Sequence, residues 1–157
     1  MREPRTTIPG LILNESTQGR VAYLPADIDR RFALDNLPDH GDLLANLVRW
    51  AARGNVLLEV SGRGLIDCEL YQQPGRLILH LVNLTSAGTW RAPVHELIPI
   101  GPLQVKVRPP QGLQPKMLKL LVSRASGGAG PALHNENGWS CFEMKSVLDH
   151  EVAVLES

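Results

Sequence analysis

Four glutamates could supply the carboxyl groups that hydrolytic chemistry requires. They lie in or beside strand-like runs of the sequence: Glu59, Glu69, Glu96 and Glu143. Cleavage of a glycosidic bond needs two carboxyl groups that flank it, roughly 5 to 9.5 Å apart. Nothing in the sequence brings two of the four glutamates together in a cleft. We therefore interpret them as residues of solvated strand faces and predict no catalytic residue in this chain.

The histidines and cysteines show no spacing typical of a metal site. The histidines are His40, His80, His95, His134 and His150. His80 lies in the strongest apolar run, which favours a hydrogen-bonded core or sheet-face residue over a ligand or base. Cys68 and Cys141 lie in strand-like runs, which favours two buried thiols and leaves a disulfide between them open. The sequence predicts neither a metal nor a cofactor.

A charged and polar segment between residues 24 and 40 is the first candidate binding site. Its members are Asp27, Asp29, Arg30, Arg31, Asn36 and His40. Acids and arginines bind hydroxyl groups through paired hydrogen bonds, so the segment could line a sugar-binding cleft or dock on a neighbouring domain. The alternative is a solvated connector between a strand and a helix. As regards direct contact with substrate, we favour the connector. If the segment belongs to an interface, we favour docking on a neighbouring domain as its role.

The second candidate site is a platform of aromatic rings on which sugars could stack. Tyr71, Trp90 and Trp139 are the residues available for it, because Trp50 is assigned to a helix. Aromatic residues make up only 4% of the chain, which argues against a sugar platform.

One helix is predicted, with an apolar stripe at helical spacing. The stripe contains Leu43, Leu44, Leu47, Val48, Trp50 and Ala51. Asp39 is the predicted N-cap, and Gly54 stands where a glycine commonly follows a helix. Before this helix, the runs 9–14 and 20–24 predict a β-hairpin, and residues 25–38 are interpreted as irregular.

From Gly54 onwards the apolar residues no longer recur at helical spacing but at every second position, as they do in a strand. Short alternating runs separated by turn signals predict an antiparallel β-sandwich of seven or eight strands over residues 55–157. The run Leu77–Leu84 is apolar on both faces, which is typical of a central strand. Residues 1–54 hold too few elements for an independent core, so we interpret them as the remnant of a larger α/β domain. The predicted fold class is mainly β.

The charge pattern disfavours nucleic acid as a partner. The chain has 16 basic and 16 acidic residues, and the basic ones are scattered along the sequence. No apolar run approaches the roughly 18 residues that span a bilayer, so no membrane partner is predicted. The N-terminus lacks the apolar core of a secretory signal, and we expect a cytoplasmic protein.

Several motifs resemble a known arrangement of domains. The run GRVAYLPADIDR (residues 19–30), together with residues 38–46 and 48–51, resembles the end of a β-galactosidase trimerisation-type domain. That domain has a flavodoxin-like, glutamine-amidotransferase-like α/β fold and follows the catalytic barrel of certain glycoside hydrolases. Residues 79–85, 99–107 and 151–156 are similar to the C-terminal β domain that comes next. The resemblance implies that the catalytic carboxylates belong to the barrel, so none is carried over to this chain.

The resemblance implies a non-catalytic, structural or assembly region of a glycoside hydrolase. Its expected partner is the catalytic barrel of a longer parent or of a separate chain, and a homo-oligomer is a further expectation. The alternative function is a carbohydrate-binding β-sandwich module with a glycan as its ligand. We expect no enzymatic activity from the chain by itself.

Overall fold

The computed structural model describes residues 7–85, 96–123 and 130–157. The chain divides into two compact units, residues 1–56 and residues 57–157. In the described residues it is mainly β, with ten strands and two helices, and all strand pairs within its sheets are antiparallel. The predicted fold class is confirmed.

The first unit begins with a β-hairpin and continues with two helices. Strands β1 (Ile12–Glu15) and β2 (Arg20–Tyr23) pair with Ile12 opposite Tyr23 and Glu15 opposite Arg20. The helices are α1 (Ile28–Asp35) and α2 (Pro38–Ala51). No described residue of this unit is fully buried.

Helix α1 corrects the prediction that residues 25–38 are irregular. Its sequence is mostly polar and offers only a short apolar pair at helical spacing, Ile28 and Phe32, and none of its residues is fully buried. The helix packs on α2, where the Phe32 ring lies so close to Gly41 that a β-carbon at Gly41 would come within 2.8 Å of Phe32 Cε2. It ends at Asn36, whose left-handed backbone (φ 49°) directs its N–H to the Phe32 carbonyl.

Helix α2 begins earlier than predicted. Its N-cap is Leu37, followed by Pro38, whereas Asp39 lies inside the first turn. Proline suits a first helical position because it lacks the N–H that would be unpaired there. The apolar stripe is half-buried except for Val48, whose surface is 64% exposed, so Val48 does not belong to it.

The second unit consists of two four-stranded antiparallel sheets. Its strands are β3 (Leu58–Ser61), β4 (Ile66–Gln73), β5 (Arg76–Asn83), β6 (Leu103–Val107), β7 (Met117–Leu120), β8 (His134–Glu136), β9 (Trp139–Met144) and β10 (His150–Glu156). The first sheet has the order β4-β5-β10-β7 and the second the order β3-β6-β9-β8. Strand β5 is central, as the apolar run predicted.

Alternation along the strands places one face of each sheet in a shared core. Leu77, Leu79 and Leu81 of β5 point inward from the first sheet, and they are at most 2% exposed. The second sheet contributes Leu103, Val105, Val107, Phe142 and Met144 to the same cluster. The two sheets therefore face each other as a β-sandwich, and residues at the alternate positions lie on its two outer faces.

Strand β8 was not predicted from the sequence. Its three residues are all exposed, so it has no apolar alternation to reveal it. It exists because Asn137 (φ 51°) and Gly138 (φ 79°) form a tight turn that returns the chain antiparallel to β9. Positive φ at both positions is what a two-residue hairpin turn of the Asn-Gly type requires.

The buried side chain of Asn83 ties the end of β5 to neighbouring loops. The two N–H groups of Asn83 Nδ2 donate to the carbonyls of Ile98 and Leu148, with the Val147 carbonyl sharing one of them at 3.2 Å, and its Oδ1 accepts from the Thr85 N–H. Asn83 starts an Asn-Leu-Thr triplet of the glycosylation type, but its amide is 7% exposed and committed to these bonds.

Cys68 and Cys141 are free thiols, and burial raises the pKa of Cys68, with the neighbouring Asp67 charge acting in the same direction.

Candidate functional site

Trp139 stands at the start of β9 on the outer face of the second sheet. The next residue, Ser140, and its partner Val107 on β6 are both buried and face the core. Because side chains alternate along a strand, Trp139 and its neighbour Arg108 point to the outer face. The Arg108 guanidinium carbon lies 4.4 Å from the centroid of the Trp139 ring, which is a cation–π contact. Glu136 of β8 lies opposite Trp139 on its other side. These contacts hold the indole in one orientation.

The Trp139 side chain forms part of a groove of about 440 Å³. One wall is the loop of residues 109–115, and the other is the turn between β8 and β9. The residues lining the groove include three prolines (Pro109, Pro110 and Pro115) and five polar side chains (Gln111, Gln114, Asn135, Glu136 and Asn137). Its size lies within the range of about 300 to 1,000 Å³ typical of small-molecule sites.

A chain of hydrogen bonds fixes the two walls of the groove to each other. The buried Ser140 hydroxyl donates to Asn135 Oδ1 at 2.7 Å. Asn135 Nδ2 in turn donates to the Pro115 carbonyl at 2.8 Å, at the end of the 109–115 loop. Pro115 is among the fully buried residues. The groove is thus formed in advance of any ligand, which lowers the entropy lost on binding.

The polar groups at the groove differ in how far their hydrogen-bonding capacity is used. The exposed amides of Gln111 and Gln114 make no hydrogen bond in the part of the chain that the structure describes. Glu136 has one weak partner, Asn137 Nδ2, which donates to Glu136 Oε1 at 3.4 Å. Each amide offers donors and acceptors, and the carboxylate accepts. The groove can therefore pair with a ligand that carries both kinds of group.

Tyr71 does not join Trp139. It lies on the outer face of β4, in the first sheet, and is 52% exposed. Its hydroxyl donates to Glu69 Oε2 at 2.6 Å, which raises the pKa of Tyr71 above its ordinary value, and its ring meets His80 edge-on. Because the two outer faces of a sandwich point in opposite directions, Tyr71 and Trp139 form no common platform. Trp90 lies outside the described residues.

The charged segment of the first unit lies on helices rather than on a loop. Arg30 pairs with Asp27, and Arg31 pairs with Asp35 at 3.1 Å, both along α1 and all exposed. Of the remaining candidates, Asp29 lies in the first turn of α1, Asn36 caps that helix, and His40 lies in α2 with its Nδ1 unpaired among the described residues. The structure therefore places all six candidates on or beside the helix pair, with Arg30 and Arg31 already ion-paired.

The glutamates considered for hydrolysis are distributed over both sheets. Glu69 is on β4 of the first sheet, bonded to Tyr71, whereas Glu59 and Glu143 are on β3 and β9 of the second, with β6 between them. Glu143 Oε2 accepts from Gln104 Nε2 at 2.7 Å. Glu96 is exposed outside the named strands. In residues 7–85, 96–123 and 130–157, no group of three or more His, Cys, Asp or Glu could hold a metal ion.

None of the helices in the described ranges is both long and apolar enough to cross a membrane.

Comparison with known proteins found a solved structure of similar fold. No protein-family model and no curated protein sequence matches the chain. Among solved structures, the fold is similar to alpha-L-fucosidase isoenzyme 2 from Paenibacillus thiaminolyticus, with a TM-score of 0.69 and 18% sequence identity. The similarity covers 94% of this chain and 22% of that chain. The chain therefore spans about a fifth of the length of the protein that it resembles in fold.

The sequence had drawn attention to Trp139 but not to Gln111, Gln114, Glu136 or Asn137. Two signals near Trp139 could have pointed to them, the Pro109-Pro110 pair and the Asn137-Gly138 turn, because turn residues bring flanking segments together. Nothing in the sequence joins the two turns, since the hydrogen bond that connects them runs from Asn135 to a backbone carbonyl.

Proposed function

We propose that this chain is a non-catalytic accessory region of a glycoside hydrolase. The observation that carries the proposal is the unequal coverage of the structural match, which extends over 94% of this chain but only 22% of a fucosidase chain. A region of that size leaves most of such an enzyme, including room for a catalytic barrel, outside it. The distribution of Glu59, Glu69 and Glu143 over two sheets supports the assignment of catalysis to another part of the parent.

The finer part of the proposal is that the first unit is the end of a trimerisation-type α/β domain. In the β1–β2 hairpin, Arg20 faces α2, with its guanidinium carbon 5.3 Å from the Trp50 ring centroid. Alternate residues of the hairpin point to the opposite face, where Val21 and Tyr23 are 62% and 59% exposed beside Ile12. An exposed apolar face of this kind is typical of an interaction surface.

We propose that the rest of the parent's α/β domain covers this hairpin face, defined by Ile12, Val21 and Tyr23. A two-stranded hairpin is marginal on its own, and added strands or helices on its free face would supply the missing core. The 22% coverage of the fucosidase chain supports this occupant over a second copy, because most of the parent remains to provide it. The barrel or a separate partner chain is the proposed neighbour beyond it.

The first experiment measures hydrolysis by the isolated chain. We expect no turnover of nitrophenyl α-L-fucoside or β-D-galactoside above the spontaneous rate. Turnover that disappears when Glu59, Glu69, Glu96 or Glu143 is replaced by Gln would overturn the assignment.

The second experiment asks what covers the hairpin face. DNA upstream of the codon for Met1 is sequenced, and any frame that encodes the rest of the α/β domain, alone or with the barrel, is co-expressed with this chain. We expect co-purification that Val21→Asp with Tyr23→Asp abolishes and that Gln73→Asp, at an exposed position of β4 in the second unit, leaves intact. A monomer in sedimentation with no co-purifying partner would contradict the proposal, and a dimer broken by the same double substitution would favour a homo-oligomer instead.

A second candidate function, carbohydrate binding by the β-sandwich, is favoured by one observation. Trp139 lies at a preformed groove whose polar groups Gln111 and Gln114 are unused.

A further inference from the structure

We propose that the groove between the 109–115 loop and the β8–β9 turn binds a neutral saccharide of one or two pyranose units, with the Trp139 ring as its stacking surface. The inference deepens the carbohydrate-binding candidate and does not depend on the assembly role. Its ligand class follows from the charge, shape and hydrogen-bonding capacity of the described residues that line the groove.

The lining residues disfavour anionic ligands. Glu136 is the ionisable residue among the described residues that line the groove. A polyanion such as a nucleic acid or a phosphorylated ligand would be repelled by the Glu136 carboxylate, and the nearby Arg108 guanidinium already contacts the Trp139 ring. A neutral ligand avoids this repulsion.

Hydroxyl-rich ligands match the unused polar groups. A sugar hydroxyl both donates and accepts, and so do the side-chain amides of Gln111 and Gln114. The Glu136 carboxylate accepts from hydroxyls, and such charge-assisted bonds are the stronger ones. Adjacent hydroxyls on one ring could engage Gln111 and Gln114 from the loop and Glu136 from β8 together.

The Trp139 indole supplies the apolar part of recognition. A pyranose has an apolar C–H face, which packs on an aromatic ring with favourable dispersion and electrostatics. Arg108 acts as a positioning residue, because its guanidinium lies 4.4 Å from the centroid of the ring and fixes the indole. A Pro-rich peptide is the less favoured ligand, since such peptides dock in grooves lined by several aromatic rings, and Trp139 is the one aromatic residue among the described lining residues.

The test is a titration of the full ¹⁵N-labelled chain with L-fucose, D-galactose, D-glucose, N-acetyl-D-glucosamine and lactose. The chain has three tryptophans, so single Trp→Phe variants assign each indole N–H signal. We expect saturable shifts of the Trp139 indole and of the Gln111 and Gln114 side-chain amides. With one aromatic residue and an open groove, the Kd should lie in about the millimolar range.

Substitutions separate this groove from other surfaces. Trp139→Ala should weaken binding about tenfold or more, the equivalent of losing one stacking contact. Tyr71→Ala, an exposed aromatic residue of the opposite sheet, should leave the Kd unchanged. Should Trp139→Ala fail to fold, the exposed pair Gln111→Ala and Gln114→Ala should weaken binding several-fold while the melting temperature stays constant.

Three outcomes would overturn the inference. The first is the absence of saturable shifts with every sugar at about 0.1 M, a concentration two decades above a millimolar Kd. The second is binding that survives Trp139→Ala. The third is that a proline-rich peptide causes shifts at the groove and the sugars do not. Co-purification with the rest of the α/β domain is measured independently and should be insensitive to Trp139→Ala. Failure of the sugar site and failure of the assembly role are therefore distinguishable.

Discussion

Glu151, at the start of β10, is a buried carboxylate that is 1% exposed. Burial by itself would raise its pKa, but hydrogen bonds from Ser123 and from the backbone N–H groups of Val122, Ser123 and Val152 outweigh burial, and the pKa is lowered from its ordinary value. The carboxylate therefore fastens residues 122–123 to the sheet while it is ionised.

The free energy of unfolding of the chain should depend on this carboxylate in acid. Because the folded pKa of Glu151 lies below the unfolded one, its stabilisation is fully present above the ordinary glutamate pKa and is lost as pH falls through the folded pKa. Glu151→Gln should cost about 2 kcal/mol at neutral pH and flatten the acid dependence. Urea unfolding across pH checks this, with the exposed Glu59→Gln as the control. Equal acid dependence in wild type and Glu151→Gln would contradict it.

Asn83 offers a second test at the scale of one side chain. Asn83→Ala removes both donors of the amide, which serve three carbonyls, and the acceptor for Thr85 N–H, and we expect a loss of about 2 to 3 kcal/mol. Thermal unfolding of this variant beside Gln73→Ala, an exposed amide on the same sheet, measures the difference. A loss of stability in Asn83→Ala no larger than that in Gln73→Ala would show that these bonds contribute little.

At the scale of elements, α1 depends on the closeness of one ring to one glycine. Gly41→Ala should displace the Phe32 ring, because the added β-carbon would lie 2.8 Å from Cε2. We expect faster amide hydrogen exchange in α1 and little change in β5. Phe32→Leu, which shortens the side chain, should partly suppress the effect of Gly41→Ala in a double-mutant cycle. Additive effects of the two substitutions would exclude the contact as the cause.

Elements with apolar alternation were predictable, and the others were not. β5 could be recognised as central because both of its faces are apolar, and β6 because Leu103, Val105 and Val107 alternate with polar residues. Helix α1 and strand β8 lack such a pattern, since α1 is stabilised by Phe32 on Gly41 and β8 by its turn. The Trp139 ring was identified by residue type alone, whereas its groove depends on a side-chain-to-backbone bond from Asn135, which leaves no periodic signal.

At the scale of the whole chain, the hydrophobic core belongs to one unit. All the buried hydrophobic residues in the described part lie between Leu77 and Leu155. Residues 57–157 should therefore fold without the first unit, whereas residues 1–56 should not fold alone. Amide dispersion in NMR spectra of the two separately expressed pieces checks this. A dispersed spectrum from residues 1–56 would refute the prediction and would weaken the case for an external partner.

The position of β10 has a consequence for synthesis of the protein on the ribosome. β10 lies between β5 and β7, and it pairs with both along most of its length. Until β10 emerges from the exit tunnel, β5 lacks its partner on one edge, and β7 has no neighbour in the first sheet. Leu77, Leu79 and Leu81 therefore stay within reach of chaperones from the time β5 emerges until β10 follows it. The first sheet is therefore completed only once β10 has been made, and nascent chains that stop before β10 are expected to be substrates for degradation.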